Sequence, residues 1–77
     1  MRDPQSGAAA FTAALGAEIA YWRKRRAMTR SELATAACFS ASTMGRIERE
    51  GPKDVADTWR LAQALGVPLS TLVERAE

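Results

Sequence analysis

Apolar residues recur at helical spacing along most of the chain. Phe11, Leu15, Ile19 and Trp22 lie four, four and three residues apart and trace one stripe on a helix of about 3.6 residues per turn. Met1 to Gly7 mixes charge, Pro4 and Gly7 without such a period and reads as a loose arm, so helix is expected from about Ala8. Arg23-Lys24-Arg25-Arg26 closes this first segment, where cations complement the dipole of a helix C-terminus. A second helix opens at Thr29, an N-cap with Glu32 three residues on, the spacing of a capping box. Its apolar face is Leu33, Ala34 and Ala37. Cys38-Phe39-Ser40 interrupts the pattern, and Ser40 caps a third short helix from Ala41 to Glu48 with Met44 and Ile47 inward.

Glu50-Gly51-Pro52-Lys53 is a loop by composition. Asp54 caps a fourth helix whose stripe is Val55, Trp59, Ala62 and Leu65, with Thr58 and Leu61 flanking and Gly66 at its end. Leu69, Leu72 and Val73 form the apolar face of a last helix reaching about Arg75. Trp22 and Trp59 both fall on apolar stripes, so core packing is expected of them rather than ligand stacking. The fold class is therefore all-α: a compact bundle of about five short helices in residues 11–77, preceded by a flexible arm at 1–10.

Composition narrows the function. A chain of 77 residues buries only about 60–65% of its unfolded surface, which leaves a thin core and no room for a deep catalytic cleft. There is no histidine and one cysteine, which excludes the usual imidazole and thiolate metal sites and histidine-based triads. No convergent acid, base or nucleophile assembles from the remaining residues, so neither an enzyme nor a cofactor or metal is expected. The lone Cys38 excludes an internal disulfide, suits a reducing cytoplasm, and is expected as a small buried residue. Apolar runs are only a few residues long, and no apolar stretch follows Met1-Arg2-Asp3-Pro4, so neither a membrane span nor a secretory signal is expected.

Two short helices joined by a three-residue break, Arg30–Ala37 and Ala41–Glu48, have the spacing of a helix-turn-helix. On spacing alone they are equally an ordinary αα-hairpin in a small bundle. Charge separates the readings. Between Arg23 and Lys53 eight Lys and Arg stand against three acids, a balance of +5, while the other 46 residues balance to −3. The overall +2 thus conceals a polarised molecule, the footprint expected of a DNA-binding unit.

An ordered series of residues carries a family resemblance: Leu15-Gly16, Ile19, Trp22-Arg23, Met28-Thr29, Glu32-Leu33-Ala34, Ser40, Ser42-Thr43-Met44, Arg46-Ile47-Glu48-Arg49, Leu61 to Val67, and Leu72. From Leu15 to Val73 the chain resembles the Cro and lambda-repressor-like helix-turn-helix domains, also called the xenobiotic-response-element family. That resemblance implies a structural ion pair between Arg23 and Glu48. It implies phosphate contacts for Thr29, Arg30, Ser40, Thr43, Arg49 and Lys53, and base contacts for Ala41, Ser42 and Arg46. It also implies a homodimer on a pseudo-palindromic double-stranded DNA operator. Pro68, Leu69 and Val73 are the candidate dimer interface, with Leu69 partly in the core.

The departures from the family pattern are specific. Arg30 stands where glutamine is common, and Ala41 and Ser42 replace longer base-reading side chains. Only Arg46 can make a bidentate contact to guanine, so direct readout is sparse. Ala27 and Cys38 occupy turns where glycine is usual, and one or both turns are expected to differ in detail. The loop after Glu48 is about one residue shorter than common, which changes where Lys53 points. The expected function is a sequence-specific transcriptional regulator, a repressor of bacterial or phage type in the cytoplasm or nucleoid, inserting its third helix into the major groove. The alternative is a protein-interaction module on the same fold, an antirepressor or adaptor.

Overall fold

The computed structural model describes residues 4–77, with side chains from Gly7 onward. Five helices follow in order: α1 Pro4–Arg25, α2 Arg30–Ala37, α3 Ala41–Glu50, α4 Val55–Leu65 and α5 Leu69–Ala76. No strand occurs among the described residues. The bundle is all-α, as the periodicity predicts. Its first helix begins earlier than expected, so residues 4–10 continue α1 instead of forming a separate arm; residues 1–3 lie outside the described residues. Two local preferences favour this extension. Proline at a first helical position loses no hydrogen bond, and Ala8, Ala9 and Ala10 are the best helix formers.

Twelve residues form the buried core, drawn from all five helices and the turn before α5: Leu15, Ile19, Leu33, Ala34, Ala37, Met44, Ile47, Leu61, Ala62, Leu65, Val67 and Leu72. None is aromatic; Phe11, Trp22 and Phe39 pack on its margin. Helix α1 is the spine and packs on α3 and α5, while α2 bridges α3 and α4. The approach of α1 to α3 depends on two glycines. A Cβ at Gly16 would collide with the Ile47 carbonyl oxygen and stand 3.0 Å from that of Glu48. Gly51 ends α3 at φ 99°, and a Cβ there would strike the Thr12 carbonyl.

Three helix ends share one device. After α1, the N–H of Ala27 donates to Lys24 O and that of Met28 to Arg23 O; after α2, Cys38 donates to Thr35 and Phe39 to Ala34; after α4, Gly66 donates to Gln63 and Val67 to Ala62. These are Schellman pairs, and each sets a residue just past the helix in the left-handed region. Gly66 does this freely, but Ala27 at φ 56° and Cys38 at φ 64° do so at about 1–2 kcal/mol each. The turns therefore keep the glycine geometry without glycine, contrary to the expected change of shape. Cys38 is also exposed, not buried, because its position in the motif faces solvent while Phe39, the next residue, packs inward.

Helix α4 is rotated from its expected stripe. It buries Thr58, Leu61, Ala62 and Leu65, leaving Val55 73% and Trp59 53% exposed. Its apolar arc is wider than the face it can bury, and the rotation chosen hides two leucines completely. Thr58 is tolerated inside because its hydroxyl donates to the Asp54 carbonyl at 2.8 Å. Trp59 therefore lies outside the core, whereas Trp22 is half-buried against it, with the Tyr21 ring edge-on at 5.4 Å.

Candidate nucleic-acid interface

Helices α2 and α3 form the unit that the spacing predicts, and local side chains fix both starts. Thr29 Oγ1 accepts from the Glu32 N–H at 3.0 Å, and Glu32 Oε1 accepts from the Thr29 N–H at 2.7 Å, a complete capping box. Ser40 Oγ accepts from the Thr43 N–H at 3.1 Å and its hydroxyl donates to Thr43 Oγ1 at 2.9 Å. Met44 and Ile47 anchor α3 in the core, while Ala41 and Ser42 are exposed and Arg46 is half-buried.

The far end of α3 is held by charge. Glu48 Oε2 accepts from Arg23 Nε at 2.7 Å, and Glu48 Oε1 accepts from Arg23 NH2 at 3.3 Å. Arg23 NH1 also donates to the Met28 carbonyl at 2.9 Å, so every nitrogen of this guanidinium is used inside the protein. Arg30 joins the same carboxylate through Nε at 3.2 Å, a contact that the sequence did not disclose. Among the described residues its two terminal nitrogens donate to no protein atom. Gly45 lies beneath this patch: a Cβ there would be 3.5 Å from Arg49 NH1 and 3.9 Å from Arg30 NH1. Two guanidinium groups thus converge over α3, and Arg23 and Arg30 together set two positive charges on the one carboxylate of Glu48.

Of the remaining predicted contacts, Thr29, Arg49 and Lys53 are exposed beside this patch or in the following loop. Pro68 is exposed, while Leu69 and Val73 are half-buried and pack against the core. The basic segment is not wholly free, because Arg26 donates to Leu65 O at 2.9 Å and ties the end of α1 to the end of α4. Arg60 and Arg75 also had no sequence signal. Arg60 reaches the α2–α3 turn, and Arg75 pairs with Glu18 at 2.7 Å while lying 4.8 Å over the Tyr21 ring. Asp57, three residues before Arg60, is a helical-spacing partner, but the turn carbonyls held by Arg60 and the Glu18 paired with Arg75 are more than 20 residues away, beyond any i, i+3 or i, i+4 pattern.

A short polar helix, capped at its start and pinned at its end, stands behind a three-residue turn with arginines converging on its exposed side. Fold and site together define a helix-turn-helix DNA-binding domain. Residues 14–76 match the helix-turn-helix domain family, and the chain belongs to that family. Among solved structures it is similar to the clp gene regulator ClgR from C. glutamicum, with 25% identity and a TM-score of 0.80 over 86% of this chain and 87% of that one. No curated protein matches it in sequence. No helix among the described residues is long and apolar enough to cross a membrane.

Proposed function

We propose that the protein is a transcription regulator that binds double-stranded DNA with α3 in the major groove. The observation that carries this reading is the open side of α3: small exposed residues at 41 and 42, Arg46 beside them, and the Arg30–Arg49 pair over Gly45. Ala41, Ser42 and Arg46 face base edges, where Ala meets a thymine methyl and Arg46 reads guanine. Thr29, Arg30, Ser40, Thr43, Arg49 and Lys53 set the register on phosphates. With so few base-reading atoms, part of the selectivity comes from DNA shape. The regulator named among the similar structures supports a role in gene control.

In this reading the protein acts as a homodimer on an inverted repeat, through the solvent side of Pro68, Leu69 and Val73, and represses by occupying its site. It performs no catalysis and works in the cytoplasm. Selection of bound duplexes from a random pool, at two salt concentrations, tests the proposal. An enriched inverted repeat with affinity falling steeply in salt is the expected result; no retention at low salt would reject it.

One observation favours a second reading, the protein-interaction module. Val55 and Trp59 are exposed beside a shallow groove of about 320 Å³ between α2 and α4, lined by Ala36, Cys38 and Gln63 among others. Co-purification of a stable heteromer, together with absent duplex retention, would favour it.

A further inference from the structure

We propose that Arg60 is a positioning residue for DNA recognition: from α4, it fixes the turn that leads into α3 without itself touching DNA. This inference rests on the DNA-binding reading and adds a residue to it. Arg60 Nε and NH2 donate to the Ala37 carbonyl at 3.1 and 2.6 Å, and NH2 donates also to the Cys38 carbonyl at 2.8 Å. Its guanidinium carbon lies 4.2 Å from the centroid of the Phe39 ring. NH1 bonds Asp57 Oδ1 at 3.3 Å, one turn earlier on α4, which aims the group at the turn.

One side chain thus holds three consecutive residues, 37 to 39, immediately before the Ser40 cap. Two of its targets are carbonyls at the end of α2 that have no partner within their own helix. The third is the ring that packs on the core margin. Cys38 between them is a non-glycine residue at φ 64°, a conformation that persists only where its surroundings over-determine it. Helix α4 packs chiefly on α2 and α5 and makes no extensive contact with α3, so Arg60 is its reach toward the start of α3. Every nitrogen of Arg60 is engaged within the protein, and four of its five N–H groups point at protein acceptors, which commits the group to the turn. The planar fork and the stacking face are both used, and a lysine ammonium supplies neither.

The test compares the unaltered protein with Arg60→Ala and Arg60→Lys at a temperature where circular dichroism shows all three fully folded. The probes are the duplex enriched by the random-pool selection and sheared bulk DNA. Both variants should lose about tenfold or more in affinity for the selected duplex, comparable to losing one base contact. Affinity for bulk DNA should change less than about twofold, and the salt slope should not change. A slope lowered by about 0.9, the signature of a lost phosphate contact, would overturn the proposal, as would undiminished discrimination. Phe39→Leu keeps apolar volume but removes the stacking face; if Arg60→Ala does not fold, this variant must show the same loss at constant slope, or the proposal fails. A readout without DNA separates this inference from the reading beneath it. Arg60→Ala should speed amide exchange at Phe39 and Thr43 relative to Ile19, and an unchanged ratio overturns the positioning role. An unaltered protein that retains no duplex instead overturns the DNA-binding reading.

Discussion

Glu48→Gln removes the one negative charge that α1, α2 and α3 share. The Glu48 side chain is 5% exposed and that of Arg23 12%, so this pair is largely withdrawn from water. The Met28 carbonyl also accepts from Arg23, but it does not neutralise it. A buried guanidinium left without its counter-ion costs about 3–5 kcal/mol. Arg30, 55% exposed, adds only the contribution of a surface pair, about 0–1 kcal/mol. A domain of this length holds about 4–12 kcal/mol in total, so the loss is about a quarter of it or more. Each kcal/mol corresponds to about 4–8 °C in a domain this small, and Tm should fall by at least about 12 °C. Thermal and urea unfolding followed by circular dichroism measures this. Arg23→Met should cost less, because Arg30 still pairs with Glu48. The Arg23→Met/Glu48→Leu double variant, with apolar groups in place of both charges, should recover most of the loss. A loss below about 1 kcal/mol for Glu48→Gln, or a double variant as unstable as the two singles added, would refute the reasoning.

Two helical glycines should respond oppositely to alanine. Gly16→Ala forces α1 away from the backbone of α3 and should destabilise by about 1–3 kcal/mol, whereas Gly45→Ala meets only arginine ends and should stabilise by about 0.5–1 kcal/mol in urea unfolding. Ala27→Gly and Cys38→Gly relieve left-handed strain at the cost of a freer unfolded chain; each should raise stability by about 0.5–1 kcal/mol, and a lowered Tm would contradict the assigned turns. In duplex binding, Arg46→Ala should reduce discrimination between selected and unrelated DNA by about 1–3 kcal/mol. Arg30→Ala should weaken both alike and lower the salt slope by about 0.9.

The helix starts were legible because capping is local. Thr29, Ser40 and Asp54 each accept from the N–H three residues on, and all three caps stand where the sequence placed them. The orientation of α4 was not legible. Val55, Trp59, Leu61 and Leu65 are all apolar, and only the surface presented by α1, α2 and α5 decides which of them turn inward. The site divides in the same way. Its residue types and the exposed face of α3 follow from composition and period, but Arg30 sharing Glu48, Arg26 capping α4 and Arg60 gripping the turn depend on contacts between separate helices. Cys38 shows a third limit. A small residue after an apolar face reads as buried, yet the motif that ends α2 turns it outward.

Apolar burial alone does not explain how α3 keeps its orientation. Its fully buried side chains are Met44 and Ile47, worth about 1.5–3 kcal/mol each, and burial has no direction. Direction comes from the ends. At the start, Ser40 caps the helix and Arg60 fixes the turn before it; at the finish, Glu48 is held by an arginine from α1 and another from α2. Gly16 lets α1 press against the final turns so that this ion pair closes at 2.7 Å. The stretch from Ala41 to Arg46 is left without packing duties at the positions that face outward. A helix held in this way presents Ala41, Ser42 and Arg46 on a rigid frame, which lowers the ordering cost of binding a groove. Under the proposed DNA-binding reading, this polar frame also links fold and interface, since Arg30 pairs with Glu48 and is assigned a phosphate. Raising salt should therefore weaken DNA binding steeply through phosphate contacts while changing stability little, because the Arg23–Glu48 pair is shielded from screening.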